Sequence, residues 1–218
     1  MSRSNFAVAW RRAAAAFGLV LAGGCSGLLP APTPPPSLYA LDGTHVASPS
    51  NAAAGSAGAA PTLVVNPTRA APGFDSRHIV YVRAAHQLEH FAHSEWVDTP
   101  ARMLAPLIVA AVEGSDSFRA VGLTASGVAA DLRLDTELLQ LQQEFNGGPS
   151  RVRFTMRAYV LDGANRRVLA WREFDATVAS ASDDPYGGVV AANRAVQDVM
   201  AELASFCAQT ARSWKPPN

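Results

Sequence analysis

The sequence predicts an α+β fold: a two-layer sandwich, mainly an antiparallel meander sheet with helices packed on one face, including a long C-terminal helix. Three observations carry this expectation. Residues 131–138, 151–160 and 167–178 each alternate apolar and polar side chains, the mark of strands with one packed and one wet face. Residues 100–113 and 185–211 instead carry apolar side chains at helical spacing. "NGGP" and "DGAN" separate the three alternating runs as hairpin connections. With 218 residues, 49% of them hydrophobic and 17% charged, the chain has room for one well-cored domain.

Charge and cysteine content narrow the partners. The 18 basic and 18 acidic residues cancel, which argues against nucleic acid as a partner. Two cysteines exclude a disulfide-rich scaffold or a zinc finger.

At the N-terminus, Arg3, Arg11 and Arg12 precede the uncharged run "AAAAFGLVLAGG". That run falls short of the roughly 20 apolar residues a spanning helix needs. A basic start, a short apolar core and small residues make a secretory signal peptide, here residues 1–24. The small residues end at Cys25, and "LAGGC" resembles a bacterial lipobox. Its cleavage between Gly24 and Cys25 would leave Cys25 as an N-terminus carrying diacylglycerol and an acyl chain, the only covalent group expected and no other cofactor. Several acyl chains hold a membrane firmly where one does not. Ser26, rather than Asp, follows the outer-membrane sorting pattern. A plain signal peptide and a twin-arginine route through Arg11-Arg12 are the alternatives, the latter lacking the rest of its motif.

Residues 25–37 then read as a proline-rich tether of extended polyproline character. The single domain is expected over 38–212, with a tail at 213–218 and a flexible Ala/Ser/Gly-rich loop near 47–61. Within it, "SLYALDG" is a short strand ending in a D-G turn, and "TLVVNP" and "HIVYVR" are further strands. "HQLEHFAHSEW" fits either a strand or the approach to a helix. The helix over 100–113 is capped by Asp98 or Thr99 and starts on Pro100. Pro106 inside it costs about 3 kcal/mol and predicts a kink or a late start. In the closing helix Val196, Val199, Met200, Leu203, Phe206 and Cys207 share one face, so Cys207 reads as a buried small hydrophobe. Arg172 falls in the apolar register of its strand, which predicts an open edge or a slipped register there.

Motifs for chemistry are missing. There is no G-x-S-x-G, no Walker A loop and no G-x-G-x-x-G. His86, His90 and His93 would share a face on a helix but not on a strand, and no metal site is predicted. Asp183-Asp184 complement the dipole of the last helix rather than forming a catalytic pair. No catalytic residue is predicted. Trp96, Arg151, Arg153 and Arg157 are the candidate partner or lipid surface, the three arginines lining one face of a strand.

Taken in order, the lipobox, "LLPAPTPPPSLYALDG", "HIVYVR", "LEHFAHSEWVDTP", "SFRAVG" and "RRVLAWREFDATV" before the closing helix resemble the ABC-type transport auxiliary lipoproteins, the PqiC-like family. The resemblance implies a non-enzymatic periplasmic component of an MCE-type ABC system that moves phospholipid or other hydrophobic molecules between the inner and outer membranes. It implies an MCE-domain protein with its permease and ATPase as partners, and an outer-membrane lipid anchor at Cys25. The second reading is a lipoprotein carrier that holds lipid in an apolar groove between sheet and helices.

Overall fold

The computed structural model describes residues 34–42, 60–124 and 130–216; the signal peptide, Cys25 and residues 43–59 of the low-complexity stretch lie outside them. Chain contacts separate Met1–Pro35 from Pro36–Asn218, and the described fold is that of the second unit. In chain order its elements are β1 (Ser37–Tyr39), β2 (Thr62–Val65), β3 (Arg69–Ala70), β4 (His78–Val82), β5 (Glu89–Trp96), α1 (Pro100–Glu113), β6 (Ala120–Leu123), β7 (Leu132–Glu144), β8 (Arg151–Asp162), β9 (Val168–Ala179) and α2 (Pro185–Ser213).

The three alternating segments form the expected meander, with β7–β8 and β8–β9 antiparallel along almost their whole length. β7 is the spine of the sheet. Its other edge receives three short strands in succession: β2 beside Leu132–Leu134, β3 beside Glu137–Leu138 and β4 beside Gln143–Glu144. All three run parallel to it, so the nine-stranded sheet is mixed. β5 returns antiparallel on β4, β1 adds parallel to β5, and β6 adds parallel to β2.

One face of the sheet is covered by α1 and α2. Leu132, Leu134 and Leu138 of β7, with Val152, Phe154, Met156, Ala158 and Val160 of β8, are buried against Leu104 and Ile108 of α1 and Val196, Val199, Met200 and Leu203 of α2. Alternation in the strands and an i, i+3, i+4 stripe in the helices meet in one core, as period 2 and period 3.6 require.

β7 changes register part-way. An extra residue lies between Leu138, opposite Met156, and Gln140, opposite Thr155. Such a bulge flips the sides of every following residue. The inward positions therefore change from Leu132, Leu134 and Leu138 to Leu141 and Gln143.

Both helices start on the predicted proline. α1 runs unbroken from Pro100 through Pro106. Pro106 is on the exposed side, and the carbonyl it leaves without a donor belongs to exposed Arg102, within reach of water. Thr99 caps α1 through its backbone carbonyl alone, accepting from the amides of Arg102 and Met103. At α2 the Asp184 carboxylate accepts from the Gly187 amide at 2.7 Å, while Asp183 accepts from the Ser150 amide at 2.7 Å. These backbone bonds hold both carboxyls below the ordinary aspartate value. Arg172, off-pattern in its strand, reaches Glu202 of α2 at 2.9 Å with its guanidinium over the Phe174 ring.

Candidate functional site

The alternation of β8 that buries Phe154 and Met156 turns Arg151, Arg153 and Arg157 together onto the face away from α1 and α2. Each meets a carboxylate from a neighbouring strand. Arg151 donates to Glu144 at 3.0 Å, and Arg157 to Glu173, its register partner, at 2.7 Å. Arg153 grips Asp175 with two bonds of 3.0 and 2.8 Å, and Thr155 donates to the same carboxylate at 2.9 Å. Donating to Asp175 raises the Arg153 pKa, and the same bond holds Asp175 low. Three arginines against three carboxylates leave the stripe zwitterionic rather than basic. Tyr159 and Trp171 add an aromatic pair with ring centroids 6.4 Å apart, Trp171 being 62% exposed.

Trp96, read from the sequence with these arginines, belongs elsewhere. It ends β5 with 2% exposure, inside the core, because the strand's last residue points under α2. Its indole therefore offers no contact to a partner. It lines a cavity between sheet and α2 with Leu141, Gln143, Val152, Gly188 and Ala192, of only about 10 Å³.

Gln143 is a residue that sequence reasoning missed. The bulge in β7 turns it inward, where its Nε2 donates to Ser150 at 2.8 Å and to the Asp184 carbonyl at 3.3 Å. Its Oε1 has no hydrogen-bond partner among the described residues and lies against Gly188, where a Cβ would overlap it. Gly188 is there for close approach. The switch of leucines from even to odd positions across "LRLDTELLQLQQE" was the available signal.

Asn193 was missed as well. Its Oδ1 accepts from the Asp42 amide at 2.8 Å, and its Nδ2 donates to the carbonyls of Ala40 and Val189 at 3.1 Å each. It clips the exit of β1 to α2. Between the two elements lies a groove of about 510 Å³ lined by Leu38, Tyr39, Tyr186, Val189, Val190 and Asn193, among others.

The histidines do not converge. β5 is a strand, which sends His90 and His93 to opposite faces; His90 stacks on His78 at 4.4 Å, and His86 sits in the preceding loop. Among the described residues no group of three His, Cys, Asp or Glu is placed to hold a metal. Cys207 is buried and its thiol is pushed up to about 12 by desolvation, so it packs rather than reacts. Cys25, Gly24 and the lipobox lie outside the described residues. No described helix is long and apolar enough to cross a membrane.

Against known proteins, the model of the family described as ABC-type transport auxiliary lipoprotein component matches residues 39–204. The chain belongs to this family. The match begins at Tyr39 in β1 and ends inside α2, so it spans the sheet and both helices of the auxiliary lipoprotein. No curated protein sequence matches the chain. Among solved structures, protein XCC0632 from Xanthomonas campestris is similar at 23% identity with a TM-score of 0.66, over 71% of this chain and 87% of that one. The hypothetical protein CT253 from Chlamydia trachomatis is similar at 11% identity with a TM-score of 0.51, over 72% of this chain and all of that one. Both likenesses concern the fold.

Proposed function

We propose that this auxiliary lipoprotein is a non-enzymatic, lipid-anchored adaptor that stands in the periplasm on the outer membrane and docks an MCE-type ABC system moving phospholipid or other hydrophobic cargo. Family membership over residues 39–204 supplies the transport context. The observation that carries adaptor over carrier is the packing between sheet and helices. A carrier needs a pocket of hundreds of Å³, on the scale of roughly 300–1,000 Å³ for small ligands. Beneath α2, beside Trp96 and Gln143, the space is about 10 Å³, room for about one water molecule. The larger concavities, about 510 Å³ between β1 and α2 and about 430 Å³ between β9 and the end of α2, are open to solvent and lined as much by polar as by apolar groups. ATP hydrolysis falls to the partner ATPase, and the permease and MCE-domain protein form the conduit.

Cys25 is the proposed attachment site, with cleavage after Gly24 and outer-membrane sorting from Ser26. Cys25→Ser should abolish labelling by radioactive palmitate and leave precursor or a soluble species; unchanged labelling refutes the anchor. Cross-linking in cells of the source bacterium should capture an MCE-domain protein, and its consistent absence refutes the docking role. Stoichiometric lipid found by mass spectrometry in the purified protein, beyond its own acyl chains, would instead support the carrier.

A further inference from the structure

The groove between β1 and the first turns of α2 gathers three exposed apolar side chains, and no other described residue covers them. Leu38, Tyr186 and Val190 are 53%, 63% and 47% exposed, and all three line it. Large apolar residues exposed singly are ordinary; gathered around one concavity, with a polar rim, they mark an interaction surface. Here the rim is Asp42, Asn193, Arg194 and Gln197, and Arg194 is paired with Asp198 at 3.2 Å. With Arg194 already paired to Asp198, Asp42 leaves the rim with one negative charge, so apolar contact rather than charge would hold the face to lipid.

Two further features identify the occupant. Tyr39 and Tyr186 stand with ring centroids 6.4 Å apart, each an apolar ring with a polar tip, the side chain enriched where hydrocarbon meets water. And the groove is where the chain enters the domain: Leu38 follows the proline-rich segment directly, with only residues 26–36 between Cys25 and Ser37. Eleven such residues span at most about 40 Å. A tether so short keeps the entry face near the bilayer and gives even a weak patch a high effective concentration there.

We propose that this groove is a membrane-seating face, on which Leu38, Tyr39, Tyr186 and Val190 rest in the headgroup region of a phospholipid bilayer. The inference deepens the anchored reading and rests on it. Anchor and patch together fix the orientation of the domain: the β1 end of α2 lies on the lipid, and the C-terminal end of α2 stands away from it. The clip at Asn193 holds the two walls of the groove in place before contact, so little ordering accompanies binding.

The test uses the full lipidated chain in vesicles of phosphatidylethanolamine and phosphatidylglycerol. An environment-sensitive fluorophore is placed at Val190→Cys in one sample and at Ser205→Cys in another, both exposed positions of α2, about 22 Å apart along the helix. Cys207 is buried and stays unlabelled. The probe at 190 should shift to the blue and be quenched by brominated lipid several-fold more than the probe at 205. Protein that floats with the vesicles while both probes are quenched alike overturns the seating face and leaves the anchor standing. Protein that fails to float overturns both. Shielding at 190 that disappears when protein is diluted at constant lipid marks a second copy in the groove, and also overturns the proposal.

Discussion

The two faces of strand β8 differ in everything but backbone. On one, Val152, Phe154, Met156, Ala158 and Val160 are buried beneath the helices; on the other, Arg151, Arg153 and Arg157 are held in a lattice of carboxylates. The buried face sets stability, because each side chain removed leaves a void in a closed core. The ion-paired face contributes little to stability, since exposed pairs in water are worth about 0–1 kcal/mol. What that face does is meet water with each guanidinium already paired to a carboxylate of a neighbouring strand. A stripe of arginine in a sequence is a basic patch only if the strands beside it are not acidic.

Four measurements test whether the two faces divide the work in this way. The largest effect should come from Phe154→Ala, fully buried, with a loss of about 3–5 kcal/mol in urea unfolding. Arg153→Ala, at the adjacent residue on the opposite face, should cost less than about 1 kcal/mol despite losing two hydrogen bonds; similar losses would mean that the two faces do not divide the work. Next comes Gly188→Ala, whose Cβ overlaps Gln143 Oε1 and should cost about 1–3 kcal/mol. Gln143→Ala combined with it should be less destabilised than the sum of the single changes, because the overlap is gone.

The third effect is acid sensitivity. Asp162, Asp175, Asp183 and Asp184 all have pKa values held below the ordinary one, Asp175 chiefly by Arg153 and the others chiefly by backbone amides. Their contribution is therefore complete above the unfolded value near 4 and is lost as pH falls through it towards the folded values. Thermal midpoints should be level above about pH 5 and drop below it, and Asp184→Ala should shallow that drop. A midpoint rising on acidification would contradict the assignment. The smallest effect is expected of Arg157→Ala, a change in thermal midpoint that vanishes in high salt.

Much of the meander and both helices were legible because period and punctuation are local. α1 fell at the expected residues, and α2 ran two residues beyond the expected end. The placement of β2, β3 and β4 on the far edge of β7 was not legible. Period 2 says that a segment is a strand and which side faces in; it does not name the partner or the parallel sense. Arg172 falls in the apolar register because β9 is the open edge of the meander, as one of the two sequence readings had it, but its partner Glu202, on a helix 30 residues later, was not legible. Trp96 could serve the core or a partner surface as far as the sequence shows, and its burial depends on α2 lying above it. The arginine stripe was visible at once, but its neutrality needed the β8–β9 register that sets Glu173 opposite Arg157.

One side chain has a mechanical consequence. Asn193 joins the three-residue β1 to a 29-residue helix through hydrogen bonds to both sides of the Ala40–Asp42 turn. If the chain is anchored to a bilayer at Cys25 and docked on a transport assembly as proposed, tension would enter this domain at β1. The clip passes that load sideways into α2, and from there into the whole helix layer, instead of letting three residues peel from the sheet edge one bond at a time. Under pulling force the domain should resist as a unit, and Asn193→Ala should turn its single rupture into an early, small release followed by the main one.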